Sequence, residues 1–190
     1  MARNNLTTTG RPPIIAAWVD PHTCLPDNER EKKERFTGLS SSITEWKFFS
    51  EPAQFYDFLE DPKSQIFLIM SGRMGQEIVP KTHHYENIHS MYIFCTNVNE
   101  HRRLKADRFP KVKDVMNLED DVYKLIADEL SLLLVDIGES YVESNDKALA
   151  RITLEEALRL MKHTLNMKSD HGRIRKANDL LDRLETSFDV

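Results

Sequence analysis

The sequence predicts an α/β fold: a five-stranded, doubly wound parallel sheet followed by a C-terminal helical hairpin and a capping helix. Three observations predict it. Five short apolar runs, at residues 14–19, 43–49, 66–70, 91–95 and 112–116, alternate with segments that carry helical spacing or helix caps. The runs are rich in β-branched and aromatic residues and apolar on both faces, which suits parallel strands covered on both sides. Beyond them, small and apolar residues between 129 and 162 recur where two antiparallel helices must touch.

A chain of 190 residues with 40% hydrophobic content can bury one sizeable core and a small appendage. The expected organisation is a flexible N-terminus at 1–10, an α/β domain at 11–130, and the hairpin with its terminal helix at 131–190. The net charge is -5, with Lys and Arg scattered among acids, so no basic stripe marks a nucleic-acid footprint and a basic protein partner fits better. No apolar run approaches the ~20 residues of a membrane span. Residues 1–6 lack the apolar centre of a secretory signal, so a cytoplasmic setting is expected. Cys24 and Cys95 make no disulfide framework, and Cys95 lies in an apolar run where a thiol is packing.

The elements follow in order. Ile14 to Val19 is the first strand. The first helix, expected over 29–39, has Asn28 and Glu31 at capping-box spacing, but Phe36 and Leu39 are nearly its only apolar residues. Its charge run, 28–35, reads as a solvated face. The second strand, 43–49, leads to Ser50 as a cap with Pro52 in the first turn, and Phe55, Phe58 and Leu59 form one stripe. After the third strand, Ser71-Gly72-Arg73-Met74-Gly75-Gln76-Glu77 is a glycine-rich turn into a helix. After the fourth, Asn97 and Glu100 have capping spacing. After the fifth, Glu119, Asp120 and Asp121 place acids where a helix dipole favours them, and Val122, Leu125, Ile126 and Leu130 continue a buried stripe. No Gly or Pro intervenes before Gly138, so this helix runs straight into the hairpin and fixes the two parts rigidly.

Counting Ser131 as the first position of the hairpin, Leu134, Ile137, Gly138, Tyr141, Ala150, Leu154 and Ala157 fill the contact positions. Lys162 stands where a proline would close the unit. Gly138 and Ala150 are small where the axes come closest, and Asn145-Asp146 supplies the turn and the cap. Ile174, Ala177, Leu180, Leu181 and Leu184 then stripe a last helix whose other face is charged. This pattern resembles a tetratricopeptide unit with a capping helix, which implies protein binding. Leu134, Tyr141, Leu154 and Leu158 are the candidate partner surface, and an uncovered apolar face would favour a homodimer or a partner-bound form. The alternative is helical packing on the sheet without repeat identity.

Ligands of open α/β sheets bind beyond the carboxyl ends of the strands. Asp20, Ser71, Gly72 and Thr96 end the first, third and fourth strands, and Asn117 ends the fifth. Arg73 and Gly75 extend the set, since a glycine turn into a helix offers N–H groups to an anion. The turn lacks the lysine of a P-loop and the spacing of a dinucleotide fingerprint, and the plainer account is that its glycines turn the chain. His83, His84, His89 and His101 with Cys95 do not have convergent zinc spacing. No motif places a base against Ser71 or Cys95. No catalytic residue, metal or cofactor is therefore expected.

These strand ends resemble a response-regulator receiver without its chemistry. Receivers carry acids after the first strand, an acceptor aspartate after the third, Thr or Ser after the fourth and a lysine after the fifth. Asp20 and Thr96 match; Ser71 stands at the acceptor position, no second acid adjoins Asp20, and Asn117 replaces the lysine. One carboxylate is a poor magnesium site, so aspartyl phosphorylation is not expected. Trp18-Val19-Asp20, residues 69–80, residues 88–95 and residues 111–115, in that order and spacing, are similar to the receiver-like N-terminal domain of a set of bdelloid rotifer proteins. The resemblance implies a receiver or flavodoxin-like fold. In those proteins the domain precedes tetratricopeptide arrays of kinesin-light-chain type or an arginine-specific ADP-ribosyltransferase domain. This chain ends soon after its first hairpin and has no complete transferase signature. The expected function is a non-catalytic protein-interaction and signalling scaffold. The rival is a nucleotide- or NAD-binding sensor or enzyme of receiver or TIR-like fold, using the turn from Ser71 to Gly75, with Asp20 orienting a ribose or metal and Glu77 as the acid.

Overall fold

Strands β1 (Ile14–Val19), β2 (Ile43–Phe49), β3 (Gln65–Ser71), β4 (Ile88–Phe94) and β5 (Val112–Met116) form one sheet in the order β2-β1-β3-β4-β5, and every pair in it is parallel. The structure, a computed structural model, describes residues 12–22, 26–59, 64–105 and 108–186. Expectations for residues 1–10 and Cys24 lie outside them. The helices are α1 (Pro26–Phe36), α2 (Pro52–Leu59), α3 (Gly72–Thr82), the four-residue α4 (Val98–His101), α5 (Glu119–Glu143), α6 (Lys147–Arg159) and α7 (Gly172–Thr186). The strand order is consistent with a flavodoxin-like fold.

Side chains alternate between two cores, as the strand period requires. On one face Ala16, Trp18, Phe67, Ile69 and Tyr92 pack against α1 and α5. On the other, Ala17, Val19, Leu68, Met70 and Ile93 meet α2 and α3 through Phe55, Ile78 and Val79. Every residue of β1 is buried, whereas the edge strand β2 is largely exposed or half-buried. Strand β4 starts at Ile88, before the expected 91, because its polar residues find partners in the sheet. The Ser90 hydroxyl bonds the Tyr92 hydroxyl at 2.8 Å, and the His89 ring stacks on Phe67 at 4.8 Å.

Helix α1 begins at Pro26, a residue preorganised for a first turn, so Asn28 lies inside the helix and the expected Asn28–Glu31 cap does not mark its start. Its few apolar residues are used fully: Phe36 is buried edge-on to Trp18 at 5.3 Å, and Leu39 just beyond the helix is also buried. The charge run is only partly solvated. Lys32 pairs with Glu119 at 2.7 Å and lies 4.3 Å over the Trp18 ring, while Arg35 pairs with Glu119 at 3.0 Å and with Asp120. The acids of the first turn of α5 thus hold α1 as well as suiting their own helix dipole. At α2, the Gln54 side chain accepts from the Ser50 N–H at 3.1 Å, so glutamine rather than serine supplies the acceptor.

Helix α5 is continuous for 25 residues, as the absence of a breaker predicts. The expected domain boundary at 130/131 falls inside it. Its second half packs antiparallel to α6, and a Cβ added to Gly138 would lie 2.6 Å from Leu154 Cδ2. Asn145 takes a left-handed φ of 58° in the turn, and the Asp146 carboxylate accepts the Leu149 N–H at 3.2 Å. A π-helical turn, Leu160–Thr164, ends α6 where the repeat pattern would have its proline. Helix α7 buries Ile174, Ala177, Leu180 and Leu184.

The expected partner groove is filled. Leu134, Leu154 and Leu158 are buried in the same cluster that holds Ile14, Ala16 and Trp18, and Tyr141 is half-buried. Helix α7 and the sheet domain cover the face that an isolated pair of helices would leave open. Polar contacts reinforce this docking: Ser40 donates to Glu156, Arg159 donates to the Leu39 carbonyl and to Glu156 at 2.7 Å, and Arg173 pairs with Asp128.

Burial alone would raise the Glu156 pKa, but hydrogen bonds from Arg159 and Ser40, with the Arg159 charge, outweigh it and hold the carboxyl below the ordinary glutamate value. A depressed folded-state pKa contributes stability above the unfolded-state value and loses it as pH falls through the folded one. Urea melts across the acidic range should therefore show a shallower loss of stability for Glu156→Gln than for the parent. Equal acid sensitivity in both would exclude this role.

Candidate functional site

At the carboxyl edge of the sheet the chain leaves β1 and β3 in opposite directions, since β2 and β4 lie on opposite sides of that pair. Such a switch point opens a crevice between the departing segments. Here it is a cleft of about 520 Å³. Asp20, Pro21 and His22 line it from β1; Ser71, Gly72 and Arg73 from β3 and α3. The opposite side comes from Cys95, Thr96, Asn97 and His101, with Asn117 after β5. Of the six candidate ligand residues, Asp20, Ser71, Gly72, Arg73 and Thr96 are brought together and Gly75 is not.

Gly75 faces the second core, where an added Cβ would lie 2.6 Å from Ile93 Cδ1 and 3.1 Å from Leu104 Cδ1. It is small for packing against β4. Gly72 is small for a different reason: its Cβ would lie 2.3 Å from His101 Cδ2. No described glycine has a left-handed φ, and β3 passes directly into α3 at Gly72, so the expected glycine-rich turn is absent. Glu77 is exposed and paired with Lys81 at 3.2 Å, away from the cleft lining. It cannot serve as the acid of a nucleotide site there.

The electrostatics of the cleft are mild. Asp20 is its one carboxylate among the lining residues, and Oδ1 already accepts the His22 N–H at 2.9 Å within its own loop. Burial, then the nearby Glu100 charge, pushes the Cys95 thiol up, opposite to what a nucleophile needs. Ser71 is the N-cap residue of α3, yet its side chain makes no cap bond. Asn97 caps α4, accepting the Glu100 N–H at 3.4 Å and donating to its carboxylate at 3.0 Å.

His101, set aside as a zinc ligand in the sequence, is a buried and hydrogen-bonded histidine at the floor of this cleft. It is 9% exposed, its Nδ1 lies 3.0 Å from Gln76 Nε2, and its other edge covers Gly72. The available signal was Ser-Gly directly at a strand end, which demanded a reason for the missing Cβ. The three other histidines weighed as zinc ligands pack elsewhere: His83 on Phe109 at 4.9 Å, His84 on Tyr85 at 4.8 Å, and His89 on Phe67, its pKa lowered chiefly by burial. Among the described residues no three His, Cys, Asp or Glu side chains converge as a metal site. A second cleft, about 530 Å³, lies between β5 and α5, with Asp121, Lys124, Leu125 and Asp128 in its wall.

Comparison of the chain with protein-family models, curated proteins and solved structures found no match.

The contact between His101 and Gly72 makes the cleft floor sensitive to one methyl group. Gly72→Ala should displace the imidazole, shift its ring resonances and lower stability by about 1–3 kcal/mol in urea melts, the usual range for overpacking. Unchanged ring resonances and stability would show that the ring does not rest on this glycine.

Proposed function

We propose that the chain is a non-catalytic binding module of receiver-like type, whose strand-end loops meet a protein partner. The observation that carries this reading is the distribution of exposed groups. Arg73, Thr96, Asn97 and Asn117 stand exposed around an open cleft, while the apolar residues of the hairpin are buried. In this reading the hairpin is a tetratricopeptide-like unit used as a brace. Self-association through an open hairpin face loses its support, since the exposed large hydrophobics among the described residues are Tyr85, Leu118 and Ile152, on three separate segments.

Binding is favoured over reaction by the chemistry of the lining. One carboxylate committed to its own turn, a serine at the end of β3 and a thiol raised by burial do not form a nucleophile, base and charge-stabilising set. The nucleotide or NAD reading keeps the cleft but loses Gly75 and Glu77. No described helix is long and apolar enough to cross a membrane. A cytoplasmic setting completes the proposal; the basic partner expected from the net charge of -5 loses support, since the exposed charge at this cleft is Arg73.

Proximity labelling in cells with the full chain tests the reading. Arg73→Glu combined with Asn97→Arg should remove the specifically labelled proteins, and Ile152→Asp on the exposed face of α6 should retain them. Loss only with Ile152→Asp, or turnover of NAD or a nucleotide by the purified chain, would refute it.

A further inference from the structure

We infer that the cleft binds a phosphate-class anion at the head of α3, between Arg73 and His101. This names a ligand chemistry for the proposed binding surface and rests on the strand-end cleft being that surface.

Helix α3 has 11 residues, no acid in its first turn, and an N-cap side chain that makes no bond to its N–H groups. Its positive end thus has neither an acid of its own first turn nor a side-chain cap. A helix start alone is common. The further observation is His101, a nine-tenths buried imidazole whose Nδ1 side is held by Gln76 and whose opposite edge lies over Gly72 at the cleft floor. With the Gln76 amide donating to Nδ1, the ring proton belongs on Nε2. Among the described residues Nε2 makes no hydrogen bond, and it lies 2.4 Å from where a Cβ on Gly72, the first residue of α3, would stand. A buried side chain thereby presents an unpaired donor at the place where helix N–H groups end. The absence of a Cβ at Gly72 is what allows the ring this position.

Arg73 adds the charge. It is exposed on the rim, and among the described residues it makes no ion pair. Thr96 lines the same cleft. Donors that approach from a helix start, an imidazole and a guanidinium, on three sides, suit the three or more acceptor oxygens of a phosphate better than the two coplanar oxygens of a carboxylate. The Asp20 carboxylate opposes the anion but already accepts a bond from its own loop. Its presence limits affinity, so millimolar binding of the bare anion is expected. The volume of about 520 Å³ leaves room for a substituent beyond the phosphate. The group could be carried by a small phosphoester or by a phosphoserine of the partner protein.

Titration of the isotope-labelled full chain with inorganic phosphate at constant ionic strength tests this by NMR. The expected result is saturable shifts confined to the Gly72, Arg73 and Met74 amides and the His101 ring, with affinity lowered at least tenfold by Arg73→Glu. Because Arg73 is exposed, that variant should keep its fold; retained dispersion of the spectrum verifies it. Linear, unsaturated shifts, or shifts spread over Arg175 and Lys176, would overturn the inference. Adenosine monophosphate and a phosphoserine peptide then separate the two sources, the true one binding at least tenfold tighter than phosphate; equal weakness of both would overturn the claim that a phosphoester is held. If Arg73→Glu abolishes labelling of the partner while phosphate fails to bind, this inference falls and the proposed function stands. If phosphate binds and labelling is unaffected by Arg73→Glu, the proposed surface falls and the anion site stands.

Discussion

Helix α5 is shared between two packing problems, and the rest of the molecule is arranged around that sharing. Its 25 residues extend about 37 Å at the usual rise. The first half lays Val122, Ile126 and Leu130 on the sheet; the second presents Leu134, Val135 and Gly138 to α6 and α7. An α-helix cannot bend sharply without a breaker, so both sets of contacts are fixed relative to each other by the backbone. The hairpin consequently lies against the sheet domain, where Glu156 and Arg159 reach Ser40 and Leu39, and its apolar residues close into the sheet's own core.

The same helix borders the cleft. Asn117 lines the cleft two residues before α5 begins, and the acids that open the helix hold Lys32 and Arg35 of α1. Lys32 in turn lies over Trp18 and Phe94, the aromatic residues near the ends of β1 and β4. The walls of the cleft are therefore supported from the hairpin side through one helix start, one ion-paired lysine and two rings. Part-buried ion pairs of this kind are weak evidence of added stability, because desolvation offsets their attraction. The floor is set on the opposite face of the sheet, where Gln76, His101 and Gly72 interlock.

The sheet was legible because its central strands are apolar on both faces, a pattern that only a two-sided core explains. The unbroken stretch from Asn117 to Gly138 made α5 legible, and the small residues Gly138 and Ala150 made its contact with α6 legible. What pattern could not supply was occupancy. Leu134, Leu154 and Leu158 have the same periodicity whether a partner or α7 covers them, so a buried core was read as a binding groove. Gly75 and Gly72 look alike in a turn motif, but one makes room for Ile93 and the other for His101, residues about 20 to 30 positions away in the sequence. Long-range complementarity of that kind leaves no local period. The place of His101 at the cleft floor was missed for the same reason: its environment is made by α3, while its own helix is four residues long.

Native-state amide exchange under increasing denaturant tests the union of the two halves most directly, because it reads opening free energies residue by residue. The amides of Leu134 in α5 and Leu154 in α6 are expected to merge into the same global opening as those of Ala16 in β1 and Phe67 in β3. A separate, lower-energy opening of residues 131–158 while the sheet stays closed would contradict it.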